Sequence, residues 1–226
     1  MSDAQSLPNP AAVETFYLAH AAELYLLFFT HTASHQETVK LLSEQIGDWL
    51  TSTRLFTDAR HNQTALWRQA DLLCLQFYHR KLRKKPNPES LRKTRIFFSM
   101  TDALIRILRL PDSLKTPLVL CMPLGLSTES AGKILRKQPS RMHARLKKAQ
   151  TLLDLDGQTI KTALRSLKPP AAVLKQVFDR VLTDAADPHF KGKQRLLRIK
   201  RRMDRMVPFA ALLILFFMLF AYLAVR

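Results

Sequence analysis

Val207 to Val225 is a run of 19 residues without a formal charge, followed only by Arg226. As one helix it reaches about 28 Å at ~1.5 Å per residue, close to the ~30 Å hydrocarbon core of a bilayer. Such a run either spans a membrane or is buried in protein, and its place at the chain terminus favours the first. Immediately before it, Lys191, Lys193, Arg195, Arg198, Lys200, Arg201, Arg202 and Arg205 outnumber the single acid Asp204. By the positive-inside rule a flank of this kind stays in the cytoplasm. The expectation is a transmembrane helix over 207–225, with Arg198, Lys200, Arg201, Arg202 and Arg205 meeting membrane lipids from the basic segment 191–206. Residues 1–190 then form a body on the cytoplasmic side. No N-terminal targeting segment is visible, because MSDAQSLPNPAAVET lacks a basic start and Phe16 to Phe29 is interrupted by His20 and Glu23.

The body reads as all-α. Only 5 glycines occur in 226 residues, Leu and Ala are abundant, and β-branched runs are few. Residues 1–79 hold eight acids against four Lys or Arg, whereas every later segment is basic, and the whole chain carries +18. Lipid explains the basic collar before the terminal run; the other basic segments need a second polyanion or a solvated surface. Cys74 in LLCLQF and Cys121 in VLCMPL sit in apolar settings and read as small buried hydrophobes in a reducing compartment.

Apolar residues recur at helical spacing over Ala12–Thr30, His35–Thr51 and Thr64–Leu82, which predicts three helices of one unit. Lys81 to Arg95, with two prolines and a dense run of cations, reads as a linker. A second unit follows to about Leu153. Gly157–Leu167 and Ala171–Ala185 predict two more helices, the later one with the apolar pairs Val173 and Leu174, Val177 and Phe178, and Val181 and Leu182. That stripe has to dock on something.

The strongest local pattern is LSTESAGKILRKQPSRMHARLKKAQTLL, Leu126 to Leu153. Ser127 can cap a helix from Thr128 to about Leu135, with Glu129 near capping-box spacing. A polar turn, Arg136 to Pro139, leads to a second helix that Ser140 can cap. Its Met142, Leu146, Ala149 and Leu153 fall on one apolar face, opposite Ser140, Ala144, Lys147, Lys148 and Thr151, with Arg141, His143 and Arg145 on the flanks. Two short helices with a basic outer face on the second are the layout of a DNA-reading helix-turn-helix.

Leu108 to Leu153 resembles region four of the sigma-70 family, above all the small extracytoplasmic-function sigma factors, through Leu110-Pro111, Leu118 to Leu120, Gly125-Leu126-Ser127, Glu129, Ile134-Leu135, and Arg145-Leu146 with Ala149. Leu24 to Leu50 resembles region two, and Ala65 to Lys85 resembles the region-two helix that ends in an arginine-rich run. The resemblance implies a region-two-like helical domain over 12–85, a linker over 86–103 and a region-four-like domain over 104–156; the additional helices over 157–190 lie outside the family's two-domain plan. It implies promoter DNA as partner for Ser140, Arg141, His143, Ala144, Arg145, Lys147 and Lys148, and for Trp67, Arg68, Tyr78, Arg80 and Lys81, whose aromatic rings would stack on unpaired bases. It implies core RNA polymerase as partner for Glu37, Lys40, Leu41 and Glu44.

The match departs at Lys40 and Ser43, where the family carries an acid and an amide, and at Arg136 and Lys137, where it carries a turn glycine and an apolar residue. A non-glycine residue in a left-handed turn costs about 1–2 kcal/mol. Two functions follow: a membrane-tethered sigma-factor-like transcription regulator at the cell inner membrane, or a degenerate sigma fold acting as a non-initiating interaction module that binds a regulatory membrane or anti-sigma-like protein. Neither needs a cofactor. His31 and His35 have i, i+4 spacing but fall at a helix break with no third ligand, and Asp154 and Asp156 lack the rest of a calcium loop. No phosphate loop or nucleophile grouping stands out, so an enzyme is not expected.

Overall fold

The computed structural model describes residues 7–80 and 101–224. The first helix, α1 (Pro10–Thr32), starts on the Asn9 side chain, which accepts from the Ala11 N–H, and ends where Ala33 turns left-handed. After it come α2 (His35–Leu50), α3 (Thr53–His61) and α4 (Gln63–Arg80). Ser34 and Ser52 cap α2 and α3 through their hydroxyls. Sequence periodicity predicts α1, α2 and α4 but passes over α3. That helix spans only nine residues and buries just Phe56 and Ala59, too short a stripe to register as a period.

Leu24 to Phe29 are buried without exception. A helical segment apolar on every side has to be surrounded, and α2, α4, α5 (Asp102–Arg109), α6 (Asp112–Cys121) and α10 (Ala171–Ala185) all pack on α1. The predicted stripe on α10 supplies part of the cover. Leu174, Val177, Phe178 and Val181 are buried against α1 and α2. Phe178 stacks on Tyr17 at 5.8 Å between centroids, and the Tyr17 hydroxyl donates to the Leu174 carbonyl at 3.1 Å. Burial pushes the Tyr17 phenol up, so it stays a neutral donor.

The remaining helices are α7 (Thr128–Leu135), α8 (Pro139–Leu153), α9 (Gly157–Arg165) and α11 (Phe190–Ala224). α4 packs on α7, α6 on α1, and α9 on α5, so the segments 12–85 and 104–156 share one core. Most of the expected linker, 86–100, lies outside the described residues.

Where α1, α4 and α6 meet, a polar network is sealed in. The Thr116 hydroxyl donates to Asp71 at 2.8 Å and stands 2.9 Å from His31 Nε2. With that hydroxyl proton spent on Asp71, His31 Nε2 is the donor of the second bond. On its other side His31 Nδ1 lies 3.5 Å from Asp112, which also holds Lys115 at 2.9 Å. Lys115 is buried despite its charge. His35 bonds instead to the Tyr25 hydroxyl at 2.9 Å, so the two histidines serve separate purposes.

The terminal run corrects the expected membrane anchor. It does not form a helix of its own. It continues α11, a single helix that begins in the basic segment, and among the described residues no helix is long and apolar enough to cross a membrane. The single-pass placement in the inner membrane falls with it. The collar residues show the physical reason: Arg198 and Arg201 turn inward to carboxylates of α2 rather than outward to lipid phosphates. Lys200 and Arg202 are exposed, and the Arg205 side chain lies outside the described residues.

Burial opposes ionisation of Asp112, but the His31 and Lys115 contacts outweigh it and hold the carboxyl below the ordinary 3.8. A lowered folded-state pKa stabilises the fold above the unfolded value, and that stability is lost as pH falls through the folded one. Asp112→Asn is expected to cost about 1–2 kcal/mol at neutral pH, toward the lower end for a charged hydrogen bond because the carboxylate keeps some solvent. In urea melts, the gap between variant and parent should shrink below about pH 4.

Candidate nucleic-acid interface

α6, α7 and α8 form a three-helix cluster. Ser127 caps α7, its hydroxyl accepting from the Ser130 N–H at 3.2 Å. Glu129 stands in the first turn, where its own backbone N–H and then the Ser127 hydroxyl hold its carboxyl below the usual glutamate range. The corner after α7 is left-handed at Arg136, with φ 52° and ψ 45°. Both Arg136 and Lys137 donate their backbone N–H to the Gly132 carbonyl. The corner is therefore left-handed without the glycine that normally relieves such a turn. The glycine it requires lies one turn earlier. A Cβ on Gly132 would stand 2.7 Å from the Lys137 carbonyl oxygen, so the chain can double back only over a bare Cα.

α8 opens at Pro139, whose missing N–H costs nothing at a first helical position. Gln138, not Ser140, is the cap residue, and it makes no side-chain cap bond. Met142, Ala149 and Leu153 are buried and Leu146 is half-buried, which fixes the roll of the helix. Ser140, Arg141, His143, Ala144, Lys147, Lys148 and Thr151 are consequently exposed along the opposite side. Arg145 is half-buried and donates to the Ser113 carbonyl at 3.2 Å, tying α8 to the start of α6. Lys133, Arg136 and Lys137 extend the cationic surface onto the end of α7.

The region-two residues fall out differently. Trp67 is fully buried, so its ring is core and presents no face to a base. Arg68 spends its guanidinium on the end of α7, donating to the Lys133 carbonyl at 2.8 Å and the Ile134 carbonyl at 3.3 Å. Those are carbonyls a helix terminus leaves without intrahelical partners, so Arg68 works as a cap supplied from another helix. The side chains of Tyr78 and Arg80, and all of Lys81, lie outside the described residues.

The four residues expected to meet polymerase do share one side of α2. Glu37, Lys40, Leu41 and Glu44 line a shallow cleft with Leu73, Gln76 and Phe77 of α4. Lys40 is exposed and Glu37 half-buried, whereas Leu41 and Glu44 are buried. One turn along, Asp48 accepts a 2.6 Å bond from Arg201, whose guanidinium also lies 4.0 Å from Glu44. Arg198 stands 3.6 Å from Asp48 and donates to the Thr51 hydroxyl at 3.3 Å. Burial pushes the Asp48 carboxyl up, and Arg201 and then Arg198 pull against it. This cluster escapes a linear reading, although Glu44 with Asp48 and Arg198 with Arg201 are each spaced to share a helix face.

Fold and surface together define an all-helical protein that displays a basic helix beyond a tight left-handed corner. No protein-family model matches the chain, and no curated protein matches it.

Replacing Arg136 by Gly is expected to raise stability by about 1 kcal/mol, the left-handed penalty of a side chain at that corner. In a thermal melt this amounts to an increase of roughly 2–4 °C for a protein of this size. Gly132→Ala should move the midpoint the other way.

Proposed function

We propose that the chain is a sigma-factor-like transcription regulator whose α8 binds promoter DNA. The observation that carries the reading is the roll of α8. Burial of Met142, Ala149 and Leu153 turns Arg141, Lys147 and Lys148 outward on one exposed face together with His143, next to Lys133, Arg136 and Lys137. A helix with an exposed basic face of this kind fits a major groove, and its cations neutralise the flanking phosphates. The motif resemblance over residues 108–153 supports promoter DNA over other polyanions. Core RNA polymerase is the partner it assigns to α2.

A second reading is favoured by the fate of Trp67 and Arg68. Both are spent inside the fold, and with Leu41 and Glu44 buried the region-two functions lose part of their equipment. On this reading the chain is a non-initiating module that binds another regulator.

DNA binding measured against salt separates the two. The first reading expects log K to fall linearly with log salt, and Lys147→Ala and Lys148→Ala each to flatten the slope by about 1, as loss of one phosphate contact does. Lys175→Ala, far along the chain on α10 and paired with Glu14 at 2.7 Å, should leave the slope unchanged. Salt-independent or absent binding by the full chain would leave only the second.

A further inference from the structure

We infer that α11 is a resident occupant of the acidic face of α2, seated where a basic partner surface would bind and displaceable by it. The inference rests on the reading of α2 as a partner-binding helix.

The seat is made of three contacts one turn apart. Gln194 lies over Gly47 so closely that a Cβ there would stand 2.5 Å from its Nε2. Arg198 reaches Asp48 and Thr51. Arg201, only 4% exposed, reaches Asp48 and Glu44. Positions 194, 198 and 201 fall on one side of a helix, and so do 44, 47, 48 and 51. The two helices therefore meet along a cationic row and an anionic row, the complementarity by which an acidic helix recognises a basic surface in another molecule.

The contact is held mainly by polar groups. Outside this row, among the described side chains of α11, Phe190 and Leu197 are half-buried while Leu196, Ile199, Met203 and Met206 are exposed. By contrast α10 is held by Phe178, Leu174, Val177 and Val181, all buried. Leaving the buried Asp48 and Glu44 carboxylates without a cation is costly, so α11 can leave this face only if the incoming surface brings cations that satisfy the same carboxylates. The adjoining cleft, with Glu37 and Lys40 at its mouth, gives an incoming surface its first foothold.

The test uses the full chain carrying Arg198→Gln and Arg201→Gln, and a synthetic peptide of residues 190–206 as probe. The vacated face is expected to capture the peptide at least tenfold more tightly than the parent does, and Asp48→Arg added to the same variant should abolish capture. Equal capture by parent and variant, or none by either, overturns the inference. Amide exchange across 190–203 checks that the substitutions release α11 while α1 and α10 stay protected; Arg201→Lys, which keeps the charge, should retain the parent's weak capture. Core RNA polymerase is then offered to both proteins. A tenfold gain for the released variant supports the inference and the polymerase reading together. Peptide capture without polymerase binding leaves the occupancy standing and sinks the polymerase reading.

Discussion

The absence of a polar side on the last part of α1, from Leu24 to Phe29, governs the rest of the structure. From Leu24 to Phe29 no residue can face water without cost, and burying one such side chain contributes about 1.5–3 kcal/mol. Two neighbouring helices cover only part of a cylinder. The chain therefore brings α2 and α4 from the first unit, α5 and α6 from the second, and α10 from beyond both. Division into two separate helical domains would strip α1 on one side, and the shared core answers that demand.

Polar groups accompany this convergence because the helices that cover α1 carry functional-looking residues into the interior. His31, Thr116, Asp71, Asp112 and Lys115 satisfy one another in a chain that crosses three helices. Half-satisfied, such a network costs more than an apolar junction. Fully satisfied, it selects one way of joining α6 to α1 and α4. Arg68 does the same for α7, whose last carbonyls it holds from α4. The orientation of α8 relative to the first unit thus depends on α7 and α6, each fixed by a polar contact reaching across the junction.

Local structure was legible in the sequence, and its long-range use was not. The Ser127 cap and the inner face of Met142, Ala149 and Leu153 depend on neighbours within a few residues, so spacing reveals them, whereas the left-handed corner at Arg136 was only what the motif resemblance implied. Trp67 and Arg68 could not be placed that way, since a buried ring and a half-buried cap look identical in sequence to a base-stacking ring and a phosphate contact. The carbonyls that Arg68 caps lie some 65 residues away. The terminal apolar run misled for a related reason. Its composition argues for lipid, but the helix it belongs to begins with arginines committed to Asp48 and Glu44. α3 was missed because it buries too little to show a period.

The Tyr17 to Leu174 bond bridges 157 positions. During translation at ~5–20 residues per second, α1 waits roughly 8–30 s after it leaves the ribosome before the helix that closes over it has been made. Throughout that interval the apolar part of α1 has no finished surroundings, and a nascent chain in this condition is a natural client for a chaperone. The feature that gives the finished molecule its single core makes its synthesis the most exposed moment of its life.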